Sequence, residues 1–148
     1  MICSDLDTQM MQAAIMEAKT ALSIGEIPIG AVVECKGKII GRGHNLTERL
    51  TDVTAHAEIQ AITAASLTLG GKYLKNCTLY VTVEPCLMCA GAIGWAQISR
   101  VVYGCADPKR GYMAFTSRSP FHPKAKVTVG VCEDECRGLI TDFFKNKR

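Results

Sequence analysis

Residues 78–92 read Thr78-Leu79-Tyr80-Val81-Thr82-Val83-Glu84-Pro85-Cys86-Leu87-Met88-Cys89-Ala90-Gly91-Ala92, and the reading of this stretch decides the fold. Thr78 to Val83 is β-branched and apolar, the pattern of a strand buried on both faces. Pro85 follows and opens a helix expected to run through Ala96, since proline is tolerated in a first turn whose amide protons are unpaired anyway. A buried strand that passes directly into a helix is a unit of an α/β sheet.

The flanking sequence repeats the alternation. Leu6 to Ile24 places Met10, Ala14, Ala18, Ala21 and Leu22 at helical spacing and stops at Gly25. Ile29–Glu34 and Lys38–Gly43 are apolar runs on either side of Cys35-Lys36-Gly37, a hairpin pattern. Asn45–Thr54 is polar and loop-like. Ala55–Leu67 reads as a helix, with Thr54 as its N-cap and Gly70-Gly71 closing it. Arg100–Gly104 and Lys126–Val131 read as strands, and Glu133–Lys145 as a final amphipathic helix. Pro108, Gly111, Pro120 and Pro123 argue for loop with at most a short helical turn over 106–125. The expected architecture is a three-layer α/β domain spanning 1–148, with helices on both faces of a sheet made mixed by the opening hairpin.

A chain of 148 residues buries roughly 70 % of its unfolded surface, enough for such a core without staples. No stretch approaches the ~20 apolar residues of a membrane span. The acidic opening Met1-Ile2-Cys3-Ser4-Asp5-Leu6-Asp7 lacks the layout of a signal peptide, which points to the cytoplasm. The net charge of +3 does not by itself mark a nucleic-acid binder. Basic residues gather at Lys109, Arg110, Lys124, Lys126, Lys145, Lys147 and Arg148, either a solvated surface or an RNA-contacting face. Eight cysteines without regular spacing read as reduced thiols, with Cys86-x-x-Cys89 the functional pair. Cys132 and Cys136 read as packing residues rather than a second site.

His56-Ala57-Glu58 lies near one expected helix start and Pro85-Cys86-Leu87-Met88-Cys89 near another, so the two starts can face each other at one sheet edge. A helix N-terminus lowers thiol pKa, and thiolates are metal ligands. Neutral His56 makes three ligands of a tetrahedral zinc site, and a catalytic site leaves its fourth position to water of pKa about 7. Glu58, two residues from His56, is placed to shuttle protons. Two other readings stay open at this point. The cysteines could form a thioredoxin-like redox pair, which leaves His56-Ala57-Glu58 unexplained. A structural zinc site would need a fourth ligand, such as Cys77, Cys105 or His44.

The order His-x-Glu, then Pro-Cys-x-x-Cys, is that of the zinc nucleobase deaminases. Nearly the whole chain resembles the bacterial tRNA-specific adenosine deaminases. The resemblance is carried by Glu26-Ile27-Pro28-Ile29-Gly30-Ala31-Val32, His44-Asn45, Thr54-Ala55-His56-Ala57-Glu58-Ile59, the 79–92 segment, Arg100-Val101-Val102-Tyr103-Gly104, Asp107-Pro108-Lys109 and Asp142-Phe143-Phe144. It implies a cytidine-deaminase-like five-stranded mixed sheet between helices, one zinc ion per subunit and a homodimer. It also implies conversion of adenosine to inosine at the wobble position of a tRNA anticodon arm. By matching position, Asn45 would hold the ribose of the flipped nucleotide. Asp107 would lie in the loop that meets the RNA backbone, and Phe143, Phe144 and Lys145 would flank the anticodon arm.

The chain departs from the family at Gly94-Trp95-Ala96-Gln97, where well-known members are basic, and after Gly111, where the stretch to His122-Pro123 is short. The Trp-Ala pair also resembles bacterial guanine deaminases, so a free-purine deaminase is the first alternative. A zinc-stabilised binding module without turnover is the second. Trp95 itself is expected to pack in the core.

Overall fold

The computed structural model describes residues 4–147; Met1 to Cys3 of the acidic opening and the terminal Arg148 of the basic set lie outside them. The elements run α1 (Asp5–Ser23), β1 (Gly30–Cys35), β2 (Lys38–His44), α2 (Ala57–Leu69), β3 (Thr78–Val83), α3 (Leu87–Trp95), β4 (Arg100–Cys105), β5 (Lys126–Val129) and α4 (Glu133–Asn146). The strands form one five-stranded sheet in the order β2-β1-β3-β4-β5. β1 is antiparallel to both β2 and β3, whereas β3, β4 and β5 are parallel. The mixed three-layer sheet expected from the hairpin and the βα units is therefore present.

Period-two alternation assigns the strand side chains to two cores. Ala31, Val33, Leu79, Val81, Val101 and Tyr103 pack against Ala57, Ala61 and Ala65 of α2 and Ala90 and Ile93 of α3. Val32, Tyr80 and Val102 face the other way, onto Met11, Ala14 and Ile15 of α1 and Cys136 of α4. The central strands are predominantly apolar because both of their faces are covered, with Glu34, Thr82 and Arg100 among the polar exceptions. Cys132 is partly exposed and Cys136 buried, as packing residues should be, and the cysteines of the described residues are all free thiols.

Two glycines fix how closely α2 approaches. A Cβ at Gly43 would sit 2.4 Å from the Ala57 carbonyl oxygen, and one at Gly41 2.4 Å from that of Ala61. The alanine-lined face of α2 thus lies directly on the β2 backbone, which sets the position of the helix start that bears His56 and Glu58.

α1 begins with a capping box, in which the Ser4 hydroxyl accepts from the Asp7 amide and the Asp7 carboxylate accepts from the Ser4 amide. Asp7 also accepts two bonds from the Arg100 guanidinium, at 2.7 and 2.8 Å, and one from the Tyr80 hydroxyl at 2.7 Å. Arg100 holds the carboxyl down to about 2 against the opposing effect of burial. A depressed carboxylate stabilises the fold above its unfolded value near 3.8 and loses that contribution as pH falls toward 2. Asp7→Ala should therefore cost about 3 kcal/mol at pH 7, because it strands a part-buried guanidinium. Chemical denaturation should find this difference much smaller near pH 2.

The structure corrects three local expectations. Thr54 does not cap α2; its amide and hydroxyl both donate to Asp52 Oδ1, and His56 is the N-cap, with the helix beginning at Ala57. Pro85 precedes α3 rather than opening it, since Cys86 is the N-cap. Trp95 is not in the core but 85 % exposed, because the last turn of α3 carries it on the side away from the sheet. Elsewhere the differences are small. β5 ends at Val129, and the 106–125 segment contains only a 3-10 turn at Tyr112–Ala114, as its prolines and glycine suggested.

Candidate metal centre and active site

The first residues of α2 and α3 meet at the sheet edge where β3 ends. His56 and Cys86 each occupy an N-cap position in extended conformation, so their side chains project beyond the helix ends rather than along them. Cys89 lies one turn further along α3. His56 Nδ1 stands 3.6 Å from Cys86 Sγ and 3.5 Å from Cys89 Sγ, and the three donor atoms lie within 4.8 Å of one another.

The electrostatics of the trio favour a cation. The hydrogen bond from Cys89 holds the Cys86 thiol down to about 4, with His56 adding to the effect and burial opposing it. Cys89 is pushed far up, first by its bond to Cys86 and then by burial. The bond to Cys86 raises His56, and burial partly offsets that rise. One thiolate forms readily and the second cannot form beside it without added positive charge. The geometry suits zinc. Bonds of about 2.05 Å to nitrogen and 2.3 Å to sulfur in a tetrahedron separate N and S by about 3.6 Å.

No fourth protein donor joins the group among the described residues. His44 Nδ1 is paired with Glu17 Oε1 at 2.8 Å, the Cys77 thiol donates to the Lys75 carbonyl, and the Cys105 thiol donates to that of Thr82. The donor set is that of an open, catalytic-type site rather than a closed structural one.

Glu58, in the first turn of α2, is 4 % exposed yet lines the adjoining cleft. Burial pushes its carboxyl up to about 7. The cleft measures about 1000 Å³ and is bordered by Asn45, Val53, Lys109, Arg110, Phe115 and Phe144. That is the upper end of the range for small-molecule sites.

The remaining expected residues divide. Asn45 is nearly buried, lines the cleft, and accepts from the Thr47 amide at 3.3 Å. Asp107 also lines the cleft, but its Oδ1 accepts from the Lys109 and Arg110 amides at 3.2 and 3.1 Å. It shapes the turn that brings those two cations to the rim. Arg110 lies over the Phe115 ring at 5.4 Å. Of the C-terminal residues, Phe144 reaches the cleft, supported edge-on by Phe143 at 5.2 Å, whereas Lys145 is exposed and does not line it.

Two buried carboxylates hold these loops and were not assigned roles from sequence. Glu84 accepts from the amides of Asp107 and Met113, both at 3.0 Å. Gly111 passes so close that a Cβ there would lie 2.2 Å from the Glu84 carboxylate. Tyr112 N donates to the Pro85 carbonyl, and Cys86 bridges to Gly111, so the loop is stitched to the metal-site turn. Glu26 is fully buried and accepts from the Glu48 and Arg49 amides at 3.1 and 2.8 Å. The available signal was a charged residue set inside an apolar stretch, as in Val83-Glu84-Pro85.

Residues 4–105 match the sequence model of the cytidine and deoxycytidylate deaminase zinc-binding region. The chain belongs to that family. Within the deaminase family it is 44 % identical over 146 residues to the tRNA-specific adenosine deaminase of Bacillus subtilis (strain 168), covering 96 % of this chain and 91 % of the relative. It also resembles a solved structure from a study of A-to-I editing by tRNA:A34 deaminases at the wobble position of transfer RNA. That match has a TM-score of 0.83 and 43 % identity, covering 89 % of this chain and 99 % of the other. A solved guanine deaminase from Bacillus subtilis matches with a TM-score of 0.64 and 39 % identity, over 66 % of this chain and 63 % of the other. Zinc is thus the cofactor expected of the family model and the ion that the donor set fits.

Proposed function

We propose that this chain is a single-domain, zinc-dependent hydrolytic deaminase that converts adenosine to inosine at the wobble position of a tRNA. The observation that carries the reading is the open trio of His56, Cys86 and Cys89 beside the buried carboxyl of Glu58, in a cleft with a basic and aromatic rim. The adenosine substrate is inferred from the extended likeness to the tRNA-specific enzymes.

His56, Cys86 and Cys89 would hold the metal. When bound, zinc supplies a Lewis acid that lowers the pKa of water at its open position. Glu58 takes a proton from the attacking water and delivers it to the purine N1 as oxygen adds at C6. It then takes the proton of the hydroxyl now on C6 and passes it to the amino group, which leaves as ammonia as the C6 carbonyl forms. Burial favours the protonated form of this carboxyl, which suits it to hold a proton between the two transfers. Asn45 would hold the ribose, Phe115 and Phe144 would offer flat apolar surfaces to neighbouring bases, and Lys109 and Arg110 would offer charge to the phosphates. A loop base is the cheaper target, because flipping it breaks no base pair.

The deciding experiment is ammonia release, run in parallel on a wobble-adenosine anticodon stem-loop and on free guanine, adenine and cytidine. The stem-loop alone should turn over. Guanine turnover with the stem-loop untouched would overturn the reading in favour of purine salvage, which the guanine deaminase likeness makes the alternative to test.

The active form is a homodimer in this reading. α2 and α3 share one face of the sheet, and their outer sides expose Leu67, Met88 and Trp95, an apolar surface suited to a second copy. Trp95→Asp should shift the protein toward monomer in sedimentation equilibrium, raising the dimer Kd by roughly 10-fold or more. No helix among the described residues is long and apolar enough to cross a membrane. The cytoplasm, where tRNA is processed, is the proposed location.

A further inference from the structure

At the end of the sheet away from the metal centre, two cysteines stand opposite each other with no part in the chemistry above. The antiparallel register of β1 and β3 pairs Val33 with Leu79 and Glu34 with Thr78, so the next step sets Cys35 against Cys77. Both belong to the α2-side core, Cys77 fully buried and Cys35 partly exposed at the strand end. The backbone of Cys77 is committed elsewhere, its amide donating to the Leu74 carbonyl and its carbonyl accepting from the Ser99 amide. The pair is therefore of the non-hydrogen-bonded kind, in which facing Cα atoms approach to about 4.5 Å and side chains come closest. That separation is within the range a disulfide spans. Burial, with the neighbouring Cys35 thiol adding to it, pushes Cys77 up to about 12. Cys35 is consequently the thiol that meets an oxidant first.

We propose that Cys35 and Cys77 form a reversible disulfide-forming site that takes a peroxide as oxidant. The Cys35 sulfur attacks hydrogen peroxide, its O–O bond breaks, and one water leaves with Cys35 as the sulfenic acid. The Cys77 sulfur then attacks the Cys35 sulfur, the S–S bond forms as the S–O bond breaks, and a second water leaves. Two thiols are oxidised and one peroxide is reduced to two waters. The bond closes a loop from residue 36 to residue 76, which contains β2 and α2 and thus His56 and Glu58. Cross-linking a loop of this length restricts the unfolded chain and stabilises the folded one.

The test uses the zinc-loaded protein, in which the metal protects Cys86 and Cys89, treated with stoichiometric hydrogen peroxide. Peptide mapping without reductant should recover a Cys35–Cys77 linkage. Fragmentation must assign it to Cys77, because trypsin leaves Cys86 and Cys89 on the same peptide. The melting temperature should rise by roughly 5–10 °C and return on adding dithiothreitol. Cys35→Ser should show neither the linkage nor the shift while melting near the reduced parent, and Cys77→Ala should leave Cys35 trapped as a sulfenic acid that dimedone labels. Recovery of Cys35 as sulfenic or sulfinic acid in the parent protein, or linked to a different cysteine, would overturn the assignment.

Discussion

Glu58→Ala is expected to lower kcat/KM on a wobble-adenosine stem-loop by roughly 10²–10⁴-fold while one zinc per chain stays bound. The side chain is not one of the three metal donors, so its loss should leave the ion in place, to be checked by metal analysis on the same sample used for kinetics. A second readout separates a proton-carrying role from a packing role. In the metal-free protein, burial raises the Glu58 carboxyl from 4.5 to about 7, so the folded state keeps a proton that the unfolded chain has released. Stability then falls as pH rises through that window. Glu58→Gln keeps the shape and removes the slope. It should be inactive yet more stable than the metal-free parent above pH 7, by roughly 2–3 kcal/mol. Turnover unchanged in Glu58→Ala would overturn the proton-carrying role of Glu58, whereas a parent protein that turns over none of the substrates would be a zinc-stabilised binding module.

Cys86→Ser should lose metal and stability together. A serine hydroxyl does not ionise near neutral pH, whereas the Cys86 thiol is held at about 4 by Cys89 and His56, so the substitution removes the donor that forms first. The helix itself does not suffer. Cys86 is the N-cap of α3 without a side-chain capping bond, and serine is the better cap, so the loss of stability comes from the ion and from the sulfur's contacts with His56 and Cys89. With free zinc a thousandfold above its Kd the parent gains about 4 kcal/mol from binding, and the variant forfeits it. Its melting temperature should fall by about 10 °C, to that of the parent treated with a chelator or somewhat below it. Stoichiometric zinc in purified Cys86→Ser would refute the ligand assignment.

What the sequence made legible was local. His56, Glu58, Cys86 and Cys89 announce themselves because helix starts place residues two or three apart in fixed relation, and few residue types bind metal. The strands were legible because a doubly covered sheet favours β-branched and apolar side chains, as Thr78 to Val83 illustrates. Thr54 failed as a cap because the choice of first turn was made by α2 packing on Gly41 and Gly43, which set its axis before any capping preference counts. Trp95 failed because hydrophobicity does not say which way a side chain points, and the last turn of α3 carries it away from the sheet. Glu26 and Glu84 look like surface carboxylates in sequence, since the amides they accept from lie more than twenty positions away.

Glu84 stands two residues before Cys86 and grips the 107–113 turn through main-chain amides, which every residue but proline possesses. The rim's backbone course is therefore indifferent to most of the side chains it displays. On the proposed function, Lys109, Arg110 and Phe115 would form a replaceable reading head on a fixed mount, open to randomisation in a library that seeks new target loops. Asp107, whose carboxylate shapes the turn, and Gly111, with no room for even a methyl group beside Glu84, are the exceptions. A length change inside 107–113 would pull the mount off the metal site, whereas the exposed Ser117–Ser119 segment offers a place where the chain can be lengthened to reach further along a substrate.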